Sequence, residues 1–216
     1  MIVSEIIKIP ASEYEGKQST LLPDNQKNNL ERLPGRSGYF YLADKSSSVK
    51  IVTPDRNRIV AELKLDQYIF PLPNTVQVDT ISVDQNYKGQ GLGLALYGVV
   101  LTIMKKTLVS GDIQTPGGRR MWAILWNLQQ TIPNLRVRGY FSISDYSMDD
   151  DRDIPVIVGK LGAEYLGTIN HYHMFAFDVN PTQTGKELEA TIKTKFSKIY
   201  GNEFYVNSVG LFARIE

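Results

Sequence analysis

The chain has no cysteine in its 216 residues. Disulfides, thiolate metal sites and a cysteine nucleophile are excluded at once. Histidine is nearly as scarce. His171 and His173 are the only two, too few for a histidine-rich metal centre, and no metal site is expected. A surplus of either charge is lacking too: 24 basic residues face 23 acidic ones, a net charge of +1. The whole-chain field therefore gives no reason to expect nucleic acid as a partner. No apolar run is long enough to span a bilayer; the longest, around Leu92–Met104, is short and interrupted by glycine. The opening residues, Met1-Ile-Val-Ser-Glu-Ile-Ile-Lys, lack the basic region and long apolar stretch of a leader. A cytoplasmic protein with no membrane partner is the expectation.

What is present is an ordinary globular composition, 42% hydrophobic and 22% charged, in a length that suits one α/β domain with a small appendage. Residues 1–37 read as an N-terminal segment that is partly loop, with a short strand over Ile2–Ile9 and a polar stretch over Gln18–Asn29. From residue 38 the texture changes. Tyr39–Leu42, Val49–Val52 and Ile59–Leu65 are β-prone runs separated by turn residues, an antiparallel meander. In Thr75–Val83 both alternating sets contain apolar residues, which suits a central strand. A glycine-rich loop over Asp84–Gly93 leads into an apolar helix predicted to run from Leu92 to Leu108, with Lys105 and Lys106 placed favourably at its C-terminal end. A second helix is expected over Arg119–Gln130, a strand over Arg136–Ile143, an acidic loop over Ser144–Asp153, and one strand or a pair over Tyr165–Val179. Residues 181–216 read as a linker, a helix with Leu188, Ile192, Phe196 and Ile199 on one stripe, and a final β-prone stretch, together packing on the domain. The order of elements is that of an α+β (mixed α/β) fold rather than a regular βαβ repeat.

The segment Lys88-Gly-Gln-Gly-Leu-Gly-Leu-Ala-Leu96 carries the chemistry. Glycines at alternate positions let the backbone turn sharply and turn its N–H groups outward. A helix beginning there adds the positive end of its dipole, so phosphate oxygens are the natural ligand. Lys88 stands beside the loop as a further positive charge. A Walker loop is excluded because no Gly-Lys-Ser/Thr follows. The spacing of Gly89, Gly91 and Gly93 is also not the G-x-G-x-x-G of a dinucleotide fold. Plain turn glycines are the remaining alternative.

The stretch Ile81-Ser-Val-Asp-Gln-Asn-Tyr-Lys-Gly-Gln-Gly-Leu-Gly-Leu-Ala-Leu96 resembles motif A of the GNAT superfamily of N-acetyltransferases. In that motif a strand, a short loop and a helix present Arg/Gln-x-x-Gly-x-Gly/Ala to the pyrophosphate of acyl-CoA. Lys88, Gly91 and Gly93 occupy its core, with lysine replacing the usual residue. The resemblance implies a central, mostly antiparallel sheet flanked by helices, an acyl-CoA-binding domain over residues 38–180, and a C-terminal helix-strand extension. It implies acetyl-CoA as donor cosubstrate, held by the backbone of Ile81 and Val83 and by Lys88, Gly89, Gln90, Gly91, Leu92 and Gly93. It implies direct transfer of the acetyl group to an amine on a small molecule, a protein lysine or an N-terminus. Asp79, on the strand before the loop, is the expected base. Gln77 lies nearer a common position for a catalytic glutamate and cannot serve. Tyr97 is the leading acid, with Tyr87, Tyr140 and Tyr146 as further tyrosines. On the next helix the family often carries Asn-x-x-Ala-x-x-Leu-Tyr; here Thr115, Gly118 and Trp122 take those places, and tryptophan has no proton to give.

The run Ser110–Trp122 is also similar to GNAT-like proteins of bacteriophage genomes. This supports a second reading, a catalytically inactive GNAT-fold structural or interaction protein among other virion proteins, in the host cytoplasm or the particle. Several features have plain readings beside their functional ones. Trp122 and Trp126 form a core stripe or a stacking surface. Asp149, Asp150, Asp151 and Asp153 form a solvated loop or a lure for a cationic acceptor. His171 and His173, on one face of an extended strand, are structural or catalytic. Arg119 and Arg120 are surface residues or neighbours of the phosphates.

Overall fold

The computed structural model describes residues 16–17, 19–44, 47–111, 116–144, 150–179, 185–200 and 206–216. The expected strand over Ile2–Ile9, and Thr115, Tyr146 and Asp149, lie outside them. The fold is α+β: one large, mostly antiparallel sheet flanked by helices. Its left half is the expected meander, β4 (Phe40–Asp44), β5 (Ser48–Val52), β6 (Arg58–Gln67) and β7 (Thr75–Asp84), each antiparallel to the one before. A small strand β3 (Glu31–Arg32) borders β4. The turn between β5 and β6 is built as its residues dictate. The Asp55 carboxylate accepts from the Thr53 hydroxyl and from the Asn57 amide at 3.2 Å, and Arg56 takes a left-handed φ of 59°.

The strand β7 explains why its sequence shows apolar residues in both alternating sets. Its register with β6 passes from Lys64 opposite Thr80 to Leu65 opposite Val78, so Asp79 has no partner and forms a β-bulge. An inserted residue reverses the alternation. Val78 before it therefore stands opposite Leu65, and Ile81 and Val83 after it opposite Leu63 and Ala61, the core-facing residues of β6. The sheet is not buried on both faces here: Asp79 and Thr80 are exposed, and Ser82 is half-buried.

From β7 the chain enters a short 3-10 turn (Gln85–Tyr87) and helix α1 (Leu92–Gly98), every residue of which is buried, as befits a helix that is apolar all round. The helix widens to a π-helix over Val99–Ile103. The Met104 amide reaches the Val99 carbonyl at 3.0 Å, and the Thr102 hydroxyl donates to the Gly98 carbonyl at 2.7 Å. The helix expected to run to Leu108 stops at Ile103. Lys105 turns left-handed at φ 53°, and Thr107–Val109 becomes a fully buried strand, β8, parallel to β7. Two of those three residues are β-branched and sit better on a pleated surface than on a helix.

Helix α2 (Pro116–Leu128) opens on a proline, whose missing amide costs nothing there. Strand β9 (Leu135–Ser144) follows, then α3 (Asp150–Leu161). The acidic loop of the sequence reading is thus in part a helix. Pro155, inside it, disguises it. Ile154, Ile157 and Leu161 pack on the main core. Asp153 is 1% exposed, with Arg152 Nε at 3.0 Å, and is no solvated surface charge.

Strands β10 (Glu164–Ile169) and β11 (Tyr172–Phe177) form a hairpin on β9. Its turn residues Asn170 and His171 both have positive φ, 47° and 64°. The histidines therefore do not share a strand face: His171 is in the turn, whereas His173 is 2% exposed, its Nδ1 3.2 Å from the Tyr165 hydroxyl and 3.1 Å from that of Thr168.

Helix α4 (Gly185–Tyr200) packs with Ile192 buried and leads to β12 (Val206–Ile215). This last strand goes further than packing on the domain. It lies inside the sheet, antiparallel to β8 on one side and to β9 on the other, giving the order β10-β11-β9-β12-β8-β7-β6-β5-β4-β3. Two short strands lie off this path: β1 (Gly16–Lys17) pairs with β7 and β2 (Thr20–Leu21) with β6.

Candidate functional site

Two parallel strands joined by a helix need not stay paired along their whole length. Here β7 and β8 pair at Thr75–Gln77 with Thr107–Val109, where β8 ends. Gln77 lies at the end of that pairing. Its side-chain amide donates to the Ser110 carbonyl at 3.1 Å. Ser110, 1% exposed, is in turn tied to β12: its amide donates to the Leu211 carbonyl at 2.8 Å, and its hydroxyl accepts from the Leu211 amide at 3.1 Å. Beyond this clasp β7 continues to Asp84. On the edge away from β6, Val78–Ser82 has no strand partner among the described residues. The bulge residue Asp79 lies on this open stretch, its side chain exposed.

Between this stretch and the glycine loop, Val83 and Asp84 pair with β1. Asp84, 4% exposed, caps the turn there, its Oδ1 accepting from the Asn86 amide at 2.8 Å and its Oδ2 from the Ser19 amide. Burial alone would raise its carboxyl. The amide hydrogen bonds from Asn86 and Ser19 outweigh burial and hold it below the ordinary carboxylate range. Gly89 and Gly91 take φ values of 76° and 72°, which only glycine adopts without strain. A Cβ on Gly89 would meet nothing within 4 Å, so the space over the loop is open. Gly91 is the N-cap of α1, its carbonyl accepting from the Ala95 amide at 3.0 Å. Gly93 is a buried residue in the first turn of α1. Lys88 is exposed beside the loop. Gln90 is held from the far side by the Tyr39 hydroxyl, which donates to its Oε1 at 2.9 Å. Burial, with Tyr87 adding and Arg36 opposing, raises the Tyr39 phenol above its usual value. Arg32, Arg36, Tyr39 and Phe40 line a cleft of about 700 Å³ that adjoins the loop through that contact.

The structure therefore gathers Asp79, Ile81, Val83, Lys88, Gly89, Gln90, Gly91 and Leu92 on one strand, loop and helix start. Other expected residues are elsewhere. Tyr97 is 1% exposed in the core, its ring 6.0 Å from that of Trp122, itself 1% exposed. Trp122 and the half-buried Trp126 both belong to the main core, which settles the stripe as packing. Tyr140 is buried over Gly210, 3.4 Å from the Tyr68 hydroxyl. Arg136 and Arg138 are ion-paired, Arg136 with Glu216 and Arg138 with Glu164 and Asp178, so they form no free basic surface. Among the described residues no group of His, Asp and Glu is placed to hold a metal, and no helix is long and apolar enough to cross a membrane.

Three contributors were not foreseen in the sequence: the Gln77–Ser110 clasp, the Tyr39 contact and strand β1. The capping role of Asp84 was readable, since an aspartate two residues before an asparagine at the end of a strand is a turn signal. The others join residues too far apart in sequence to signal each other.

No family model matches the chain, and no curated protein matches it by sequence. Among solved structures it is similar to the ribosomal-protein-S18-alanine N-acetyltransferase from Escherichia coli, at 12% identity, over 79% of this chain and 97% of that one, with a TM-score of 0.30. A likeness this distant gives no residue correspondence.

Proposed function

We propose that the chain is an N-acyltransferase that takes an acetyl group from acetyl-CoA and passes it directly to an amine. The observation that carries this reading is the edge of β7 beyond the Gln77–Ser110 clasp, where Val78–Ser82 has no strand partner among the described residues and which precedes the glycine loop on the same chain segment. An extended donor with peptide-like amides along its arm and a pyrophosphate at its far end matches both parts. The arm adds to the edge of Val78–Val83 as a strand would, and the pyrophosphate lies on the N–H groups of Gly89–Gly93 beside Lys88. The arginine and aromatic cleft beside Tyr39 offers charge and ring surface to a nucleotide. In the reaction the neutral amine attacks the thioester carbonyl. The Asp79 carboxylate takes the amine's proton, directly or through water, and an amide bond forms as the C–S bond breaks and CoA departs as its thiolate, to be protonated from solvent. A β7 backbone N–H at the bulge stabilises the oxyanion. Tyr97 stays a packing residue in this scheme, because its phenol is sealed in the core. The acceptor is a small-molecule amine, a protein lysine or an N-terminus.

The test is calorimetric titration with CoA and acetyl-CoA. Binding in the micromolar range, about −8 kcal/mol, is expected. It should weaken at least tenfold in Lys88→Glu, an exposed site where folding is not at stake, and be lost in Gly89→Glu, whose side chain enters the open space over the loop. A folded wild-type protein that binds neither ligand sinks the reading. One observation favours a second reading, a scaffold on the same fold without turnover: the cleft edge at Val83 is already occupied by the chain's own strand β1.

A further inference from the structure

We propose that Gly16, Lys17 and Ser19–Leu21 form a strap that competes with the acyl donor for the edge of β7 at Val83 and Asp84, so that this end of the donor cleft is covered by the chain itself and opens when the strap is displaced. This rests on the acyl-CoA reading above.

Val83 has two strand partners, Ala61 of β6 on one edge and Gly16 of β1 on the other; Asp84 is likewise paired with Lys17. The edge that β1 takes is the one left open by β8 lower down. The Ser19 amide then donates to the Asp84 carboxylate. Thr20 and Leu21 pair with Ile59 and Arg58, where β6 outruns the end of β7. The segment thus starts in the cleft, crosses the end of β7 at the mouth of the glycine loop, and finishes on the neighbouring strand. Its far end is anchored: the Leu22 amide donates to the Asn57 carbonyl at 2.8 Å, and the Leu22 side chain, 5% exposed, packs with Phe40 and Val52.

The holding forces are unequal along the strap. Leu22 contributes buried apolar area. The residues before it contribute backbone hydrogen bonds and the Asp84 contact, and Thr20 and Leu21 expose their side chains to solvent. Gly16, Lys17 and Ser19 can therefore leave while Leu22 stays seated. The donor's pantetheine arm needs the same ladder positions at Val83 that β1 fills, and one edge accepts one strand. Apparent affinity is then the intrinsic affinity reduced by the fraction of molecules with the strap released. By reciprocity, donor binding drives the strap out.

Two measurements on the full chain decide this. In the first, CoA is titrated into wild type and into Gly16→Pro/Ser19→Pro, which deletes two strap amides, one of them the donor to Asp84. The variant should bind CoA about tenfold more tightly, equivalent to about 1.4 kcal/mol. In the second, amide hydrogen exchange over residues 16–21 of wild type is followed with and without CoA, and CoA should accelerate it. This arm needs no substitution and decides the case if the variant loses its fold. Equal affinities, with exchange at 16–21 unchanged while CoA is bound, overturn the strap and leave the acyl-CoA reading intact. Absence of CoA binding in both proteins overturns the two together.

Discussion

Gly210 on β12 offers a prediction whose sign changes with its neighbour. A Cβ added there would lie 2.6 Å from Cε1, 2.8 Å from Cζ and 2.8 Å from Oη of Tyr140, whose ring crosses from β9 over the glycine. The ring cannot simply step aside, because it packs edge-on against Phe70 at 5.1 Å between centroids and is 2% exposed. Overpacking of this kind costs about 1–3 kcal/mol. Against it, alanine in mid-strand recovers about 0.5–1 kcal/mol of backbone entropy that glycine forfeits. The net expectation for Gly210→Ala is a loss of about 1–2 kcal/mol, or roughly 2–8 °C in Tm for a chain of this size. In a Tyr140→Val background the ring is gone and only the entropic gain remains, so the same substitution should stabilise by about 0.5 kcal/mol. Thermal and urea unfolding of the four proteins completes the cycle. If Gly210→Ala is equally damaging in both backgrounds, the glycine answers to its own backbone and not to the ring above it.

Replacing Gln77 by leucine removes the clasp and leaves the buried Ser110 carbonyl without that donor. We expect a loss of about 1–3 kcal/mol in urea unfolding. Asp84 holds its carboxyl below the ordinary range, so the stability it contributes is present above about pH 4 and is lost as pH falls through its folded value. Tm measured from pH 6 to pH 3 should therefore fall more steeply for wild type than for Asp84→Asn, and parallel curves refute the assignment. Under the proposed chemistry Asp79→Asn should lower kcat/KM for an amine by about 10²–10⁴ while CoA affinity stays within about twofold, a split that a structural role for Asp79 does not produce.

The glycine loop was legible because its signal is local: a β-prone run, a capping aspartate and alternate glycines lie within one short stretch. The meander was legible for the same reason, in Pro54-Asp-Arg-Asn57 and the runs around it. The bulge was half visible. Apolar residues in both sets of Thr75–Val83 suit a central strand, and an inserted residue yields the same pattern. The helix over Asp150–Leu161 was hidden by Pro155. The strand at Thr107–Val109 was absorbed into an apolar helix because periodicity cannot mark a break that consists of one left-handed lysine. His171 and His173 separated because a two-residue turn fell between Ile169 and Tyr172. Tyr97 looked available only because sequence records neighbours along the chain and not depth.

The interior position of β12 also bears on how the molecule is made. Strands β8 and β9 are its two flanks, and both are synthesised well before it; Ser110 finds its partner Leu211 about a hundred residues later. During synthesis the sheet therefore exists as two halves, each with an open edge toward the gap. Those edges are obvious sites for pairing with another chain, and the long-range closure is intrinsically slow. Substitutions that destabilise β12 should therefore reveal themselves first as poor yield of soluble protein, before any change in the donor cleft can be measured.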